Sequence, residues 1–301
     1  MGLIDIFKKK EKQPKEKRQK TQAQQEANDT VANDGREFTY VVEDVFGLRN
    51  DMGVVVVGNV HGCIREKDAV YIIQPGGQII LAEVSGLECR VQERMQRVGK
   101  AVDRPVSVHL AAIKNKQDIS KWAVLTSIRP QPVVDVNTAV ENPQILAFLR
   151  EYNHFSEDTE FLNILTYAVV HAHYLVPLYV DKEPTANGDG TSTFQEGANL
   201  GFLSIKDPED STKNIFPVFT DWRALANWKN LFDENHPPRT MILSFPDCVT
   251  FVKKGHNSLA INPFGSNTMV LSEALVEKIT GLWGYKNEFE SKDANHNGHE
   301  H

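Results

Sequence analysis

Cysteine is scarce in this chain: Cys63, Cys89 and Cys248 are the only three in 301 residues. Their odd number and wide spacing, with no C-x-x-C, argue against a disulfide framework and offer no zinc site. Long hydrophobic runs are missing as well. Nothing approaches the roughly 18–20 apolar residues that a membrane-spanning helix needs. The N-terminus has neither the apolar core nor the small-residue cleavage site of a secretory signal, so a reducing cytoplasm is the expected location. Net positive charge is absent too, at −7 with a pI near 5.8. That balance argues against broad, sequence-independent nucleic-acid binding by the whole surface.

The common catalytic signatures are equally lacking: no G-x-S-x-G, no H-E-x-x-H and no dinucleotide glycine fingerprint. Gly53-x-x-x-x-Gly58 has the glycine spacing of a phosphate loop, but Asn59-Val60 stand where lysine and a hydroxyl residue belong. Without them there is no cation for terminal phosphates and no magnesium ligand. Asn115-Lys116-Gln117-Asp118 spells a guanine-specificity string with no phosphate loop before it, and reads as a solvated loop. Cys248 precedes the apolar run Val249-Thr250-Phe251-Val252, which reads as a strand around a buried, unreactive thiol. His171-x-His173 closes an apolar helical stripe with no third ligand nearby. The expectation is therefore no catalytic residues, no metal and no cofactor.

What is present falls into two patterned halves between polar ends. Over residues 36–134, short β-branched runs alternate with Gly, Asn and Asp turns at the spacing of an all-β barrel. Val54 to Val57 is apolar at every position, which predicts cover on both faces of that strand. Gly58 and Gly62 mark places where the chain bends tightly or approaches another backbone. In order, Phe38-Thr39-Tyr40-Val41-Val42-Glu43-Asp44-Val45-Phe46, Gly53 to Val60, Gly62-Cys63-Ile64, Asp68 to Ile72, Val106 to Leu110 and Ala123-Val124-Leu125 resemble the elongation factor Tu domain 2 family. The resemblance implies a translation-factor-like β-barrel. Because barrels of that family contact RNA, it also implies a ribosome- or tRNA-associated role as one reading.

After the stiff connector Arg129-Pro130-Gln131-Pro132, the period changes. Asn142-Pro143 predicts a helix start, and Ile145, Phe148 and Leu149 recur at helical spacing. A second helix is expected from near Ser156, with an apolar stripe from Phe161 to Ala172. Strands are expected at Tyr174–Pro177, Leu200–Ile205, Ile215–Phe219, Met241–Phe245 and Leu259–Ile261, with Pro177 and Pro217 at an edge, strand end or bulge. Thr220-Asp221 should cap a helix carrying Trp222, Leu225 and Trp228, and Ser272 should open a last helix ended by Gly281. This mixture predicts an α+β layer over residues 138–282. Val176-Pro177, Gly201-Phe202-Leu203, Pro217-Val218-Phe219-Thr220-Asp221-Trp222 and Ile261-Asn262-Pro263-Phe264-Gly265 resemble the SseB N-terminal domain family. That resemblance implies a fold and an interaction role, with no catalytic residues to carry over; the family's name alone raises an enzyme of sulfur or serine metabolism.

Residues 1–35 read as a disordered basic and polar arm, and 283–301 as a polar tail holding His296, His299 and His301. At the arm's tip Leu3, Ile6 and Phe7 precede Lys8, Lys9 and Lys10, a short amphipathic turn beside positive charge. It reads either as a plain terminus or as a peripheral contact with an anionic membrane or a partner groove. Asp221, Trp222, Asn262 and Phe264 are the candidate recognition surface, with capping, packing and a turn as the competing account. The expected function is that of a non-enzymatic binding protein with a protein partner, RNA or the ribosome being the alternative.

Overall fold

The computed structural model describes residues 37–49, 52–131, 134, 138–188, 191–231 and 239–290. Its N-terminal half is one antiparallel sheet. The strands are β1 (Phe38–Val41), β2 (Asp44–Gly47), β3 (Val54–Arg65), β4 (Ala69–Ile73), β5 (Ile79–Glu83), β6 (Gly86–Val91), β7 (Arg94–Arg97), β8 (Lys100–Leu110) and β9 (Val124–Thr126). They lie in the order β5-β4-β9-β1-β3-β8-β6-β7, with β2 added to β3.

β3 organises this half. One edge takes β2 along Val54–Val57 and then β1 along Val60–Gly62, while the other pairs with β8 through a bulge between Val60 and Cys63. Where β1 gives way to β2, Gly58 lies so close to the Val41 carbonyl that a Cβ would overlap it. Gly62, at φ +97°, meets the Glu37 carbonyl in the same way. Both glycines therefore serve close backbone approach, as their spacing predicts.

Two expectations are corrected here. The valine run is not covered on both faces: Val54 and Val56 are buried while Val55 and Val57 are only half-buried. One face points into the core, and the other lies on the outside of a curved sheet. Nor does the sheet close into a hydrogen-bonded barrel, since among the described residues no ladder joins β5 to β7. The curl comes instead from one bent segment. Val84 bonds back toward β4 and Ser85 toward His109 of β8, so the chain leaves one end of the sheet and enters near the other.

The C-terminal half is α+β. It comprises α1 (Pro143–Phe155), α2 (Thr159–His171), β10 (His173–Val180), a small hairpin of β11 (Thr185–Ala186) and β12 (Ser192–Thr193), β13 (Leu200–Phe202), β14 (Ile205–Lys206) and β15 (Asn214–Val218). After these come α3 (Trp222–Ala226), β16 (Arg239–Ser244), α4 (Phe245–Gly255), β17 (Ser258–Ile261), β18 (Met269–Ser272) and α5 (Glu273–Gly281). One sheet runs β13-β10-β16, and a second runs β14-β15-β17-β18 with β15 and β17 parallel. Among the described residues a single isolated antiparallel bridge, Leu175 to Phe219, links them. Pro177 sits where the edge of β10 changes partner from Phe219 to β13, so its missing N–H interrupts no continuous ladder. Pro217 lies beyond the last pair between β14 and β15.

The run after Cys248 is helix, not strand. Ser244 and Asp247 form a reciprocal capping box, Pro246 occupies the first turn, and Cys248, Val249 and Val252 share the buried face. Cys248 is fully buried, and that burial pushes its thiol pKa well above the ordinary value. At the far end, residues 283–290 are not simply tail: Tyr285 is buried against Phe245 and Phe289. Two aromatics four residues apart supplied the apolar face that the polar composition concealed. Among the described residues no helix is long and apolar enough to cross a membrane.

The two halves share packing. One apolar cluster contains Val41, Ile73, Trp122 and Val124 together with Ile145, Phe148, Phe161 and Leu165. Trp122 lies edge-on to Phe155 at 4.8 Å and to Phe161 at 5.3 Å, and its indole N–H donates to Glu160 at 3.1 Å. Polar contacts follow the same seam. His61 meets buried Glu151 at 2.6 Å, Arg150 donates to Thr39 at 2.8 Å, and Gln144 donates to the Gln74 carbonyl at 3.2 Å. Divisions at 36–134 and 138–282 follow the sequence pattern, and the apolar core runs across them.

Candidate functional site

The strings Thr220-Asp221-Trp222 and Asn262-Pro263-Phe264 leave the C-terminal ends of the parallel strands β15 and β17, so the topology puts them side by side. Asn262 occupies the left-handed region at φ +52°, which Asn tolerates better than most residues. Its amide binds the neighbouring string. Oδ1 accepts from the Thr220 N–H at 3.0 Å, and Nδ2 donates to Thr220 Oγ1 at 2.9 Å. The Thr220 hydroxyl donates to Asp221 Oδ2 at 2.8 Å, and Asp221 Oδ1 accepts from the Ala224 N–H at 2.9 Å, capping α3. Asn142 adds a third strut. Instead of capping α1 it donates to the carbonyls of His173 and Thr220, each at 2.8 Å.

This network divides the four candidate residues by role. Asp221 (3% exposed) and Asn262 (4%) are buried braces, whereas Trp222 (43%) and Phe264 (40%) stand in solvent. Phe264 packs on Trp228 with ring centres 4.8 Å apart, and Trp228 in turn packs on buried Phe219. The other candidate residues, Leu3, Ile6, Phe7, Lys8, Lys9 and Lys10, lie outside the described residues, as do His296, His299 and His301. His171 ends α2 stacked on Tyr167 and bonded to Glu288, and His173 opens β10. Among the described residues no group of three or more His, Cys, Asp or Glu side chains is placed to hold a metal ion.

Arg223, which sequence reading did not single out, ties this corner to the N-terminal half. Its guanidinium reaches Glu37 ahead of β1, Glu141 ahead of α1, and Asp221. One cation cannot neutralise three carboxylates. Burial pushes the pKa of Glu141 up to about 7, with Arg223 opposing and Asp221 and Glu37 adding to the rise. A carboxyl whose folded pKa lies above its unfolded value stabilises the fold below the unfolded value. That contribution is lost as pH climbs through about 7. The Glu141 contribution should therefore fade between about pH 4.5 and 7, and Glu141→Gln should flatten that part of the stability curve. Thermal unfolding of both proteins at stepped pH reads the difference, and parallel curves would remove Glu141 as the cause.

Residues 146–278 match the family model described as the SseB protein N-terminal domain, within the region where the sequence resembles that family. No curated protein matches the chain. Two solved structures of translation elongation factor SelB from Methanococcus maripaludis, one with the GTP analogue GppNHp and one apo, are similar to part of it. Each is 16% identical with a TM-score of 0.26, covering 36% of this chain and 23% of the SelB chain. The chain thus spans less than a quarter of SelB, and a TM-score this low does not establish a shared fold.

Proposed function

We propose that this chain is an interaction protein whose SseB-like half recognises a protein partner through Trp222 and Phe264. The observation that carries the reading is the contrast within one corner: two exposed aromatics, Trp222 opening α3 and Phe264 in the turn after β17, flank a buried, hydrogen-bonded Thr220–Asp221–Asn262 network. Exposed aromatics on a preorganised frame lose little conformational entropy on binding, and tryptophan is enriched among residues that dominate binding energy. The same corner is anchored to the N-terminal half through Arg223, which makes the two halves one platform for the partner.

The test is affinity purification of the full chain at native level, with and without nuclease, comparing wild type with Trp222→Ala and Phe264→Ala. A direct protein partner should survive nuclease, and each substitution should weaken its binding about 30-fold, corresponding to a hot-spot loss of about 2 kcal/mol. Partners that vanish with nuclease would favour the RNA- or ribosome-associated reading. Partners that bind all three proteins equally would move recognition away from this corner.

A further inference from the structure

A second corner of the C-terminal half holds a pair of side chains that the recognition reading leaves unused. Ser204 lies in the short link between β13 and β14, and His256 is the residue that follows α4. Ser204 Oγ stands 2.7 Å from His256 Nε2. The other ring nitrogen, Nδ1, lies 3.2 Å from the Phe251 carbonyl oxygen. A carbonyl only accepts, so in the neutral ring Nδ1 carries the proton and Nε2 turns its lone pair toward the serine hydroxyl. The ring is also held edge-on against buried Phe216, with centres 5.0 Å apart. Nucleophile, base and orienting group therefore stand in sequence, with a backbone carbonyl taking the orienting place.

The surroundings indicate what such a pair would act on. Ser204 is exposed to solvent. Phe202 and Phe251, both only half-buried, pack on each other at 4.3 Å and form an apolar floor with Phe216 beneath. We propose that Ser204 is an acyl-accepting nucleophile activated by His256, acting on small carboxylic esters whose apolar part rests on Phe202 and Phe251. In the first step the Oγ–carbon bond forms as the hydroxyl proton passes to Nε2 and the carbonyl π pair moves onto its oxygen, to re-form the carbonyl when the alcohol leaves. The bond from the acyl carbon to the alkoxy oxygen then breaks, and the imidazolium returns its proton to that oxygen, releasing the alcohol. Water repeats the exchange on the acyl-serine. Its proton passes to Nε2, its oxygen bonds the acyl carbon, and Oγ leaves with the proton as the acid is released.

The experiment uses the full chain, p-nitrophenyl butyrate and a fluorophosphonate probe, with the adduct located by peptide mass spectrometry. Ser204 should be the dominant adduct, and Ser204→Ala should abolish both the adduct and the nitrophenol burst. His256→Gln should slow labelling on the order of 100-fold, the usual worth of a general base. An adduct no faster at Ser204 than at other exposed serines, or unchanged labelling in a folded His256→Gln, overturns the proposal. Ser204→Cys leaves His256 in place and reads the pair independently. Its thiol should alkylate with iodoacetamide about ten-fold faster than free cysteine at pH 7, because an adjacent imidazole favours the thiolate. An equal rate also overturns it.

Discussion

Trp122→Ala should destabilise the protein by about 3–5 kcal/mol, the usual loss for deleting a fully buried tryptophan. Trp122 is 1% exposed, meets Phe155 and Phe161 edge-on, and spends its only side-chain donor on Glu160. All three partners belong to the C-terminal half. Its backbone sits at φ +66°, unusual for a large residue, and its N–H donates to the Val42 carbonyl at 2.7 Å. Alanine inherits the same backbone conformation, so the substitution reads the lost packing and hydrogen bond alone. Wild type should unfold in one denaturant transition followed identically by fluorescence and circular dichroism. The variant should keep the slope and lower the midpoint. A loss below about 1 kcal/mol would mean that the cavity collapses at little cost and that the seam is not held at this residue.

Asn262→Ala comes next in size, at about 2–5 kcal/mol. The sum has two parts. The buried Thr220 N–H loses its acceptor, a penalty of about 1–3 kcal/mol, and alanine stays in the left-handed region without the amide bonds to Thr220 that hold asparagine there, a conformation that costs about 1–2 kcal/mol. Asn262→Gly separates them, because glycine adopts that backbone freely but makes no bond to Thr220. Glycine should therefore recover about 1 kcal/mol of the alanine loss. If both variants are equally unstable in urea titration, backbone strain contributes nothing here. Both should also weaken partner binding while Trp222 and Phe264 remain intact, since the start of α3 and the turn after β17 lose their brace.

Much of this could be read in the residues one at a time. Asn142-Pro143 announced α1, Ser272 announced α5, and Gly58 and Gly62 announced close backbone approach. Each works through a local rule: a cap, a fixed φ or a missing Cβ. Local rules also led astray where two signals competed. Val249-Thr250-Phe251-Val252 is β-branched and reads as strand, but the Ser244–Asp247 capping box and Pro246 begin a helix there, and its buried face at 248, 249 and 252 fits helical spacing. The capping box was present in the sequence and would have corrected the reading. Asn142 shows the reverse, with the helix start correct and the side chain's work different: it reaches His173 and Thr220, 31 and 78 residues away.

By itself, then, the sequence determined a β-rich first half, an α+β second half with its SseB-like strings, a buried Cys248, and the lack of a phosphate loop. All of these follow from composition, period or a neighbour within four residues. Only the tertiary structure decided that the sheet curls without closing, that Trp122 belongs to the other half's core, and that Arg223 gathers three carboxylates. It also split Asp221 and Asn262 from Trp222 and Phe264, and set Ser204 against His256 across 52 residues of chain. Burial and long-range hydrogen bonds depend on which surfaces meet, and no local pattern encodes that meeting when the partners are dozens of residues apart.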